Sequence, residues 1–504
     1  MRQKIHFFIV LFLVCAPVLR AENPLQEEIE AILADPALKG ATIGICVETP
    51  EGERLVDYGA DRLLIPSSNL KLITTGAALH HFGGDYRFKT RLCCSGSVKD
   101  STLTGHVYIQ GGADPTLGSV DAIAIRTEEL FASWAEALRK AGIRHIRGEI
   151  IGDGSYLDGM KESPLWQYDD IGTYYGSGTS GLQWHENYIS IKVSPGQRVG
   201  DSLNIEFIGP ATPWMDFRMP CRTGERGSGD QVYLYSDDAS RTAVLTGCFA
   251  LGKPVKNLKV SNKFPERTCA FLFDEYLRLQ GFSTQGYNAF DKLADTLVRP
   301  KNLKELHVTD SPSLKDIIRS CNTESNNIYA ETLLRTLGKD ISGSACYDSS
   351  LVALDKVLKD IGVSRRDSSG RLTDGIIRDG SGLTRNNLVS ASFMCRFLRA
   401  MMDSPVYRDY ISTIPQPGLQ GTVKPCLRLL PSGERRRVKM KSGSMTGIRC
   451  YSGYVTPAPG STHPRTLVFS LLINNTTADQ YQQRAVTDKI ITALLHGTAV
   501  QSQE

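Results

Sequence analysis

The stretch Pro66-Ser67-Ser68-Asn69-Leu70-Lys71 runs straight into Leu72-Ile73-Thr74-Thr75-Gly76-Ala77-Ala78-Leu79, so a hydroxyl and an amine three residues apart open an apolar run that reads as a helix over 70–79. On a helix that spacing puts Ser68 and Lys71 on one face, where the amine can take the proton of the hydroxyl. No other Ser-x-x-Lys occurs in the chain. A serine hydroxyl is a weak nucleophile unless a base lies in reach and donors await the oxyanion. Histidine, the usual base, is poorly placed: none of the nine histidines sits in a Gly-x-Ser-x-Gly context, and His185-Glu186 lacks the second histidine of a zinc-peptidase helix. A hydrolase built on this chain is therefore expected to use lysine.

Outward from that stretch, residues 24–38 read as an amphipathic helix, and 41–48 and 54–58 as a hairpin turning at Pro50-Glu51-Gly52. From about 86 to 287 the texture changes to short β-type runs and glycine-rich turns, such as 106–110 ahead of Gly111-Gly112-Ala113-Asp114-Pro115, with one helix over 128–141. Helical spacing resumes at 313–320, 327–337, 349–361 and 390–402, strands follow at 438–442, 449–455 and 466–473, and a helix over 478–495 closes the pattern. The early hairpin needs a sheet to join, and the strands near the end supply one. The expectation is an α+β fold: an antiparallel sheet flanked by helices, split into 22–86 and 287–500, with 87–286 inserted as a β-rich region of two subdomains. No internal repeat is visible.

At 504 residues, 41% hydrophobic and 22% charged, the chain is globular in composition and long enough for several domains. Its net charge of +4 carries no nucleic-acid footprint, and the one dense basic cluster, Arg435-Arg436-Arg437 with Lys439 and Lys441, reads as a solvated face beside a site. Residues 1–21 look like a secretory signal: a basic start, an apolar segment over 5–14 too short to span a bilayer, and Ala21 at a plausible cleavage point. Lipidation at Cys15 is a weaker alternative, because Val14 suits that processing poorly. Export to the periplasm is expected. Eleven of the twelve cysteines remain once Cys15 is removed, an odd number that leaves at least one thiol without an intrachain partner. Cys93-Cys94, Cys221, Cys248 and Cys269 show no metal-ligand spacing, so they read as structural bridges and buried thiols, with no metal or cofactor expected.

Two further clusters fit the demand for lysine-driven chemistry. Ser325-Asn326-Asn327 falls where the chain turns between two helices, and Lys441-Ser442-Gly443, the one Lys-Ser/Thr-Gly of the chain, lies on an expected strand ending in Ser444-Met445-Thr446-Gly447. Ser67, Ser202 and Ser320 also open Ser-x-Asn triplets, but Ser320 falls inside a helix with Asn322 on another face. In this order the three clusters resemble the signature of penicillin-binding proteins and serine β-lactamases. The long insertion, Asp379-Gly380-Ser381-Gly382-Leu383, Gly418-Leu419-Gln420-Gly421-Thr422 and Gln110-Gly111-Gly112-Ala113-Asp114-Pro115-Thr116-Leu117 narrow the resemblance to the D-Ala-D-Ala carboxypeptidase/endopeptidase family of class C low-molecular-mass penicillin-binding proteins, peptidase family S13. It runs over nearly the whole mature chain.

The resemblance implies a serine β-lactamase/DD-peptidase-like catalytic domain and an exported DD-peptidase acting on peptidoglycan peptide stems, with β-lactams as covalent inhibitors. It implies Ser68 as nucleophile and Lys71 as its base, with Ser325 relaying a proton between Lys71 and the leaving amine. Asn327 would hold the stem amide, Lys441 and Ser442 the terminal carboxylate, and Gly443 lets the substrate backbone lie close; the N–H groups of Ser68 and Ser444 would form the oxyanion hole. Ser442 stands where many relatives have threonine, and either supplies a hydroxyl. Asp379-Gly380-Ser381-Gly382 reads as a structural turn near the site, and Asp114-Pro115 as turn geometry, not substrate contact. Two other readings stand beside this one. A β-lactamase needs an activated deacylating water, for which no glutamate stands out by spacing, and a wall-binding scaffold would work through the insertion alone. Oligomeric state and the balance of carboxypeptidase and endopeptidase action are left open.

Overall fold

A computed structural model describes residues 23–291, 300–461 and 463–497. The expected signal over 1–21 and Cys15 lie outside the described residues. The central sheet joins both ends of the chain. In chain order its strands are β1 (Thr42–Glu48), β2 (Arg54–Tyr58), β3 (Val438–Met445), β4 (Ile448–Val455) and β5 (Leu467–Asn474), and in space they run β2-β1-β5-β4-β3, every pairing antiparallel. Thr42 stands opposite Asn474, so the two halves close on each other through β1 and β5.

Alternation along these strands feeds two cores. Ile43, Ile45, Val47, Phe469 and Leu471 pack against helices α1 (Pro24–Leu33) and α6 (Gln480–His496). Cys46, Cys450, Tyr454, Val468 and Leu472 face the other way, into the core of α2 (Lys71–Phe82), α3 (Leu314–Glu324), α4 (Asn327–Ser342) and α5 (Ala391–Met402). With both faces covered, all eight residues of β5 are buried, which is why its sequence is almost continuously apolar. The helix expected over 24–38 stops at Leu33 and resumes as a single 3₁₀ turn, Pro36–Leu38. Pro36 lacks an N–H and pushes Asp35 out of helical geometry, to φ −57° and ψ 128°.

Between α2 and α3 lies a second five-stranded sheet, with Tyr287–Phe290, Ile150–Asp153, Val107–Gln110, Lys89–Cys94 and Lys304–Asp310 side by side. Helices Thr127–Lys140 and Pro265–Leu279 cover it through Trp134, Leu138, Phe273 and Leu277. Two of its strands lie beyond residue 286, where the sequence reading ends the insertion. Lys304–Asp310 pairs antiparallel with Lys89–Cys94, Asp310 opposite Lys89, so the chain leaves this sheet only after Asp310. A short strand is assigned by its partner, and this partner lies about two hundred residues upstream, beyond the reach of local pattern. Smaller sheets built from Tyr188–Ser194, Asn204–Gly209 and Lys256–Ser261, and from four strands between Asp216 and Ala250, share a separate core around Ile191, Leu234 and Leu245. The eleven described cysteines are all free thiols, so the structural bridges expected of an exported chain are not formed among them.

Candidate active site

Ser68 sits in a 3₁₀ turn, Ser67–Leu70, that leads directly into α2 at Lys71. The turn is held from three sides. Asn69 Nδ2 donates to Ser452 Oγ on β4 at 2.8 Å. Gly443 of β3 passes so close that a Cβ there would lie 2.6 Å from the Pro66 carbonyl oxygen. Ser67 takes φ +49°, and its carbonyl oxygen would lie 2.0 Å from a Cβ at Gly382, itself at φ +82°. Glycine is required at 382 by both the conformation and the approach.

The Lys71 side chain is fully buried. Its Nζ lies 3.0 Å from Ser68 Oγ, 2.7 Å from Asn327 Oδ1 and 2.8 Å from the Ser381 carbonyl oxygen. Asn327 and the carbonyl can only accept from the amine. A neutral amine has two hydrogens for them, leaving its lone pair for the Ser68 hydroxyl. Burial pulls the Lys71 pKa down to about 8, against the opposing charges of Glu331 and Asp379. Cys321 is also close, but burial pushes its thiol up to about 11, so it is uncharged while Lys71 titrates.

Ser325 ends α3 in the left-handed conformation, φ 62° and ψ 37°, which turns its side chain toward β3. There Lys441 Nζ donates to Ser325 Oγ at 2.9 Å and to its neighbour's carbonyl, Ser442 O, at 2.8 Å. Lys71 hydrogen-bonds to Asn327, the first residue of α4, while Ser325, expected to relay a proton from Lys71, is held by Lys441. Lys441 is fully buried, and its pKa falls well below the usual lysine range through burial first and the charge of Lys71 second. Ser442 Oγ donates to Thr422 Oγ1 at 2.7 Å.

All eight residues expected from the sequence therefore gather in one place. Ser68, Ser325, Asn327, Ser442 and Ser444 line a cavity of about 660 Å³, with Lys71 and Lys441 buried behind it and Gly443 against the serine turn. Several participants were not anticipated. The Ser381 carbonyl has no side-chain signature, and neither has the Tyr175 carbonyl, which accepts Asn327 Nδ2 at 3.0 Å. Trp166 of the insertion donates its Nε1 to Asp379 Oδ2 at 3.0 Å. Thr422 belongs to Gly418-Leu419-Gln420-Gly421-Thr422, and its hydroxyl is the signal that could have marked it. Asp114 accepts from Thr116 N at 2.8 Å and Thr116 Oγ1 at 2.7 Å, a local turn as its sequence suggested. Among the described residues no cluster of potential metal ligands occurs, and no helix is long and apolar enough to cross a membrane.

A family model described as the D-Ala-D-Ala carboxypeptidase 3 (S13) family matches residues 25–494. The chain belongs to that family. As an S13 member it is a serine-type carboxypeptidase, a hydrolase. Over 466 residues it is 27% identical to a D-alanyl-D-alanine carboxypeptidase of Actinomadura sp. (strain R39), covering 89% of this chain and 81% of the relative. It is 22% identical over 424 residues to D-alanyl-D-alanine carboxypeptidase DacB of Haemophilus influenzae, with 84% of each chain covered. The crystal structure of penicillin binding protein 4 (dacB) from Haemophilus influenzae superposes with a TM-score of 0.79 at 20% identity, covering 93% of this S13 chain and 99% of that one. The α+β fold is thus that of a penicillin-binding protein.

Proposed function

We propose that this protein is an exported DD-peptidase that cleaves the D-Ala-D-Ala end, or a cross-link ending in a D-centre, of peptidoglycan peptide stems through an acyl-enzyme on Ser68. The observation that carries the reading is the buried amine of Lys71 at 3.0 Å from Ser68 Oγ, with both of its other contacts made to acceptors. Lys71 takes the hydroxyl proton as Oγ attacks the penultimate carbonyl carbon. The backbone N–H groups of Ser68 and Ser444 stabilise the oxyanion. Ser325 Oγ, held by Lys441, gives its hydrogen to the departing amine and is reprotonated from the Lys71 ammonium, so the proton taken from Ser68 ends on the leaving group and Lys71 is neutral again. The C–N bond breaks, D-alanine leaves, and water then hydrolyses the ester.

Lys441 and Ser442 receive the substrate carboxylate. Its arrival favours the charged form of Lys441, and that charge in turn favours neutral Lys71, so substrate binding prepares the base. Asn327 holds the stem amide while keeping Lys71 in line. β-Lactams acylate the same serine; a Haemophilus influenzae relative of the same fold is described in complex with a β-lactam. The test uses purified wild type and Ser68→Ala with a labelled penicillin and with defined muropeptides. Labelling of the wild type and none of the variant supports the nucleophile, and the products separate carboxypeptidase from endopeptidase cleavage. A Ser68→Ala protein that still forms a stable adduct sinks the assignment.

A further inference from the structure

Behind Lys71 the S13 chain buries two carboxylates that none of the steps above uses. Glu331 lies on α4 one turn beyond Asn327, so both side chains point the same way, and it is fully buried. Its oxygens accept the Gly380 N–H at 3.1 Å and the Ser381 N–H at 2.7 Å. From the opposite side Thr74 of α2, three residues beyond Lys71, donates its hydroxyl to the Gly380 carbonyl at 2.7 Å. A Cβ at residue 380 would lie 2.8 Å from the Ala330 carbonyl oxygen, so the loop comes this close to α4 only as glycine. The remaining backbone group of Gly380-Ser381, the Ser381 carbonyl, receives Lys71.

We propose that Glu331 is a positioning residue for the catalytic lysine: its carboxylate clamps the Gly380 and Ser381 amides so that the Ser381 carbonyl holds the Lys71 amine in line with Ser68, and its charge sets how readily that amine gives up its proton. The inference rests on the acyl-enzyme reading of Ser68 and Lys71 given above.

The second carboxylate has a different task. Asp379 is filled by four donors, Gly382 N–H and Asn387 Nδ2 on one oxygen and Thr384 N–H and Trp166 Nε1 on the other. Burial raises the Asp379 pKa, and the four donors, which bind the carboxylate and offer the neutral acid no acceptor, oppose that rise. Burial and the charge of Asp379 then push Glu331 up, to about 7. The charged and titratable groups acting on Lys71 are Glu331 on α4, Asp379 on the loop, Cys321 on α3 and Lys441 on β3. Glu331 and Asp379 both raise its pKa, and a positive charge on Lys441 would lower it. Glutamine at 331 would keep one acceptor oxygen but turn an NH₂ toward a backbone N–H, and would remove the charge.

The experiment measures acylation by a fluorescent penicillin in stopped flow from pH 6 to 9, on wild type, Glu331→Gln and Thr74→Val, with melting curves for each. For Glu331→Gln the alkaline plateau should fall by about tenfold or more through misplacement of the base, with apparent Kd for penicillin unchanged within about twofold. Its acid limb should move to lower pH by roughly half a unit or more, because a negative charge beside Lys71 has gone. Thr74→Val loosens the same loop without changing charge, so its plateau should drop while the limb stays. A folded Glu331→Gln protein with the wild-type limb overturns the assignment whatever its plateau does. If Glu331→Gln does not fold, a Thr74→Val plateau equal to wild type overturns it, and a lowered plateau with the limb in place supports the clamp. Failure of the wild type to acylate would count against the serine reading, not against this clamp.

Discussion

The sharpest quantitative consequence of the site is the pH dependence of acylation. Only the neutral amine of Lys71 can accept the Ser68 proton, and burial places its pKa at about 8 instead of the ordinary 10.5. The neutral fraction is then about 1% at pH 6, about 9% at pH 7, about half at pH 8 and about 90% at pH 9. A surface lysine at pH 7 would offer roughly 0.03%, so burial gives a gain of about 300-fold in available base. The acylation rate constant at saturating penicillin should therefore climb by close to two orders of magnitude between pH 6 and 9, with its midpoint near 8. Lys71→Arg keeps length and charge but cannot become neutral, and its rate should fall about 10²–10⁴-fold at every pH. Stopped-flow fluorescence on both proteins gives the rates directly. A profile flat from pH 6 to 9 in the wild type, or a Lys71→Arg variant within tenfold of it, would refute lysine as the base.

Two further substitutions probe the scaffold. Gly382→Ala forces a left-handed residue to carry a Cβ 2.0 Å from the Ser67 carbonyl oxygen; it should cost at least about 2 kcal/mol of stability by denaturant titration and slow acylation at least about tenfold, since the atoms displaced adjoin Ser68. Arg335→Met removes a fully buried guanidinium that donates to the carbonyls of Ala345 at 2.9 Å, Thr179 at 2.9 Å and Asp158 at 2.7 Å and to Thr179 Oγ1 at 2.8 Å. Leaving those acceptors dry should cost about 3–5 kcal/mol, and a loss under 1 kcal/mol in chemical denaturation would contradict the reading of Arg335 as a bolt between α4 and the 158–179 segment.

Much of this was legible in the order of residues. Ser68 and Lys71 at the mouth of an apolar run, Ser325 and Asn327 at a break between helices, and Lys441 to Gly443 on a strand each declared themselves by residue type and spacing, because helix and strand periods are local properties. The strands at both ends read as strands for the same reason, and their closure into one sheet followed from the need of a hairpin for partners. What folding alone decided was which groups complete those side chains. The carbonyls of Ser381 and Tyr175 look like any other carbonyl until the chain turns them toward Lys71 and Asn327. Glu331 and Arg335 are charged residues on a helix marked in sequence only by its apolar spacing, yet both are buried. Trp166 meets Asp379 across 213 positions of chain. Local sequence sets backbone preference and the chemistry each side chain can perform; the partners of a buried polar group come from segments far apart, chosen only when the cores close and every desolvated donor and acceptor must find a mate.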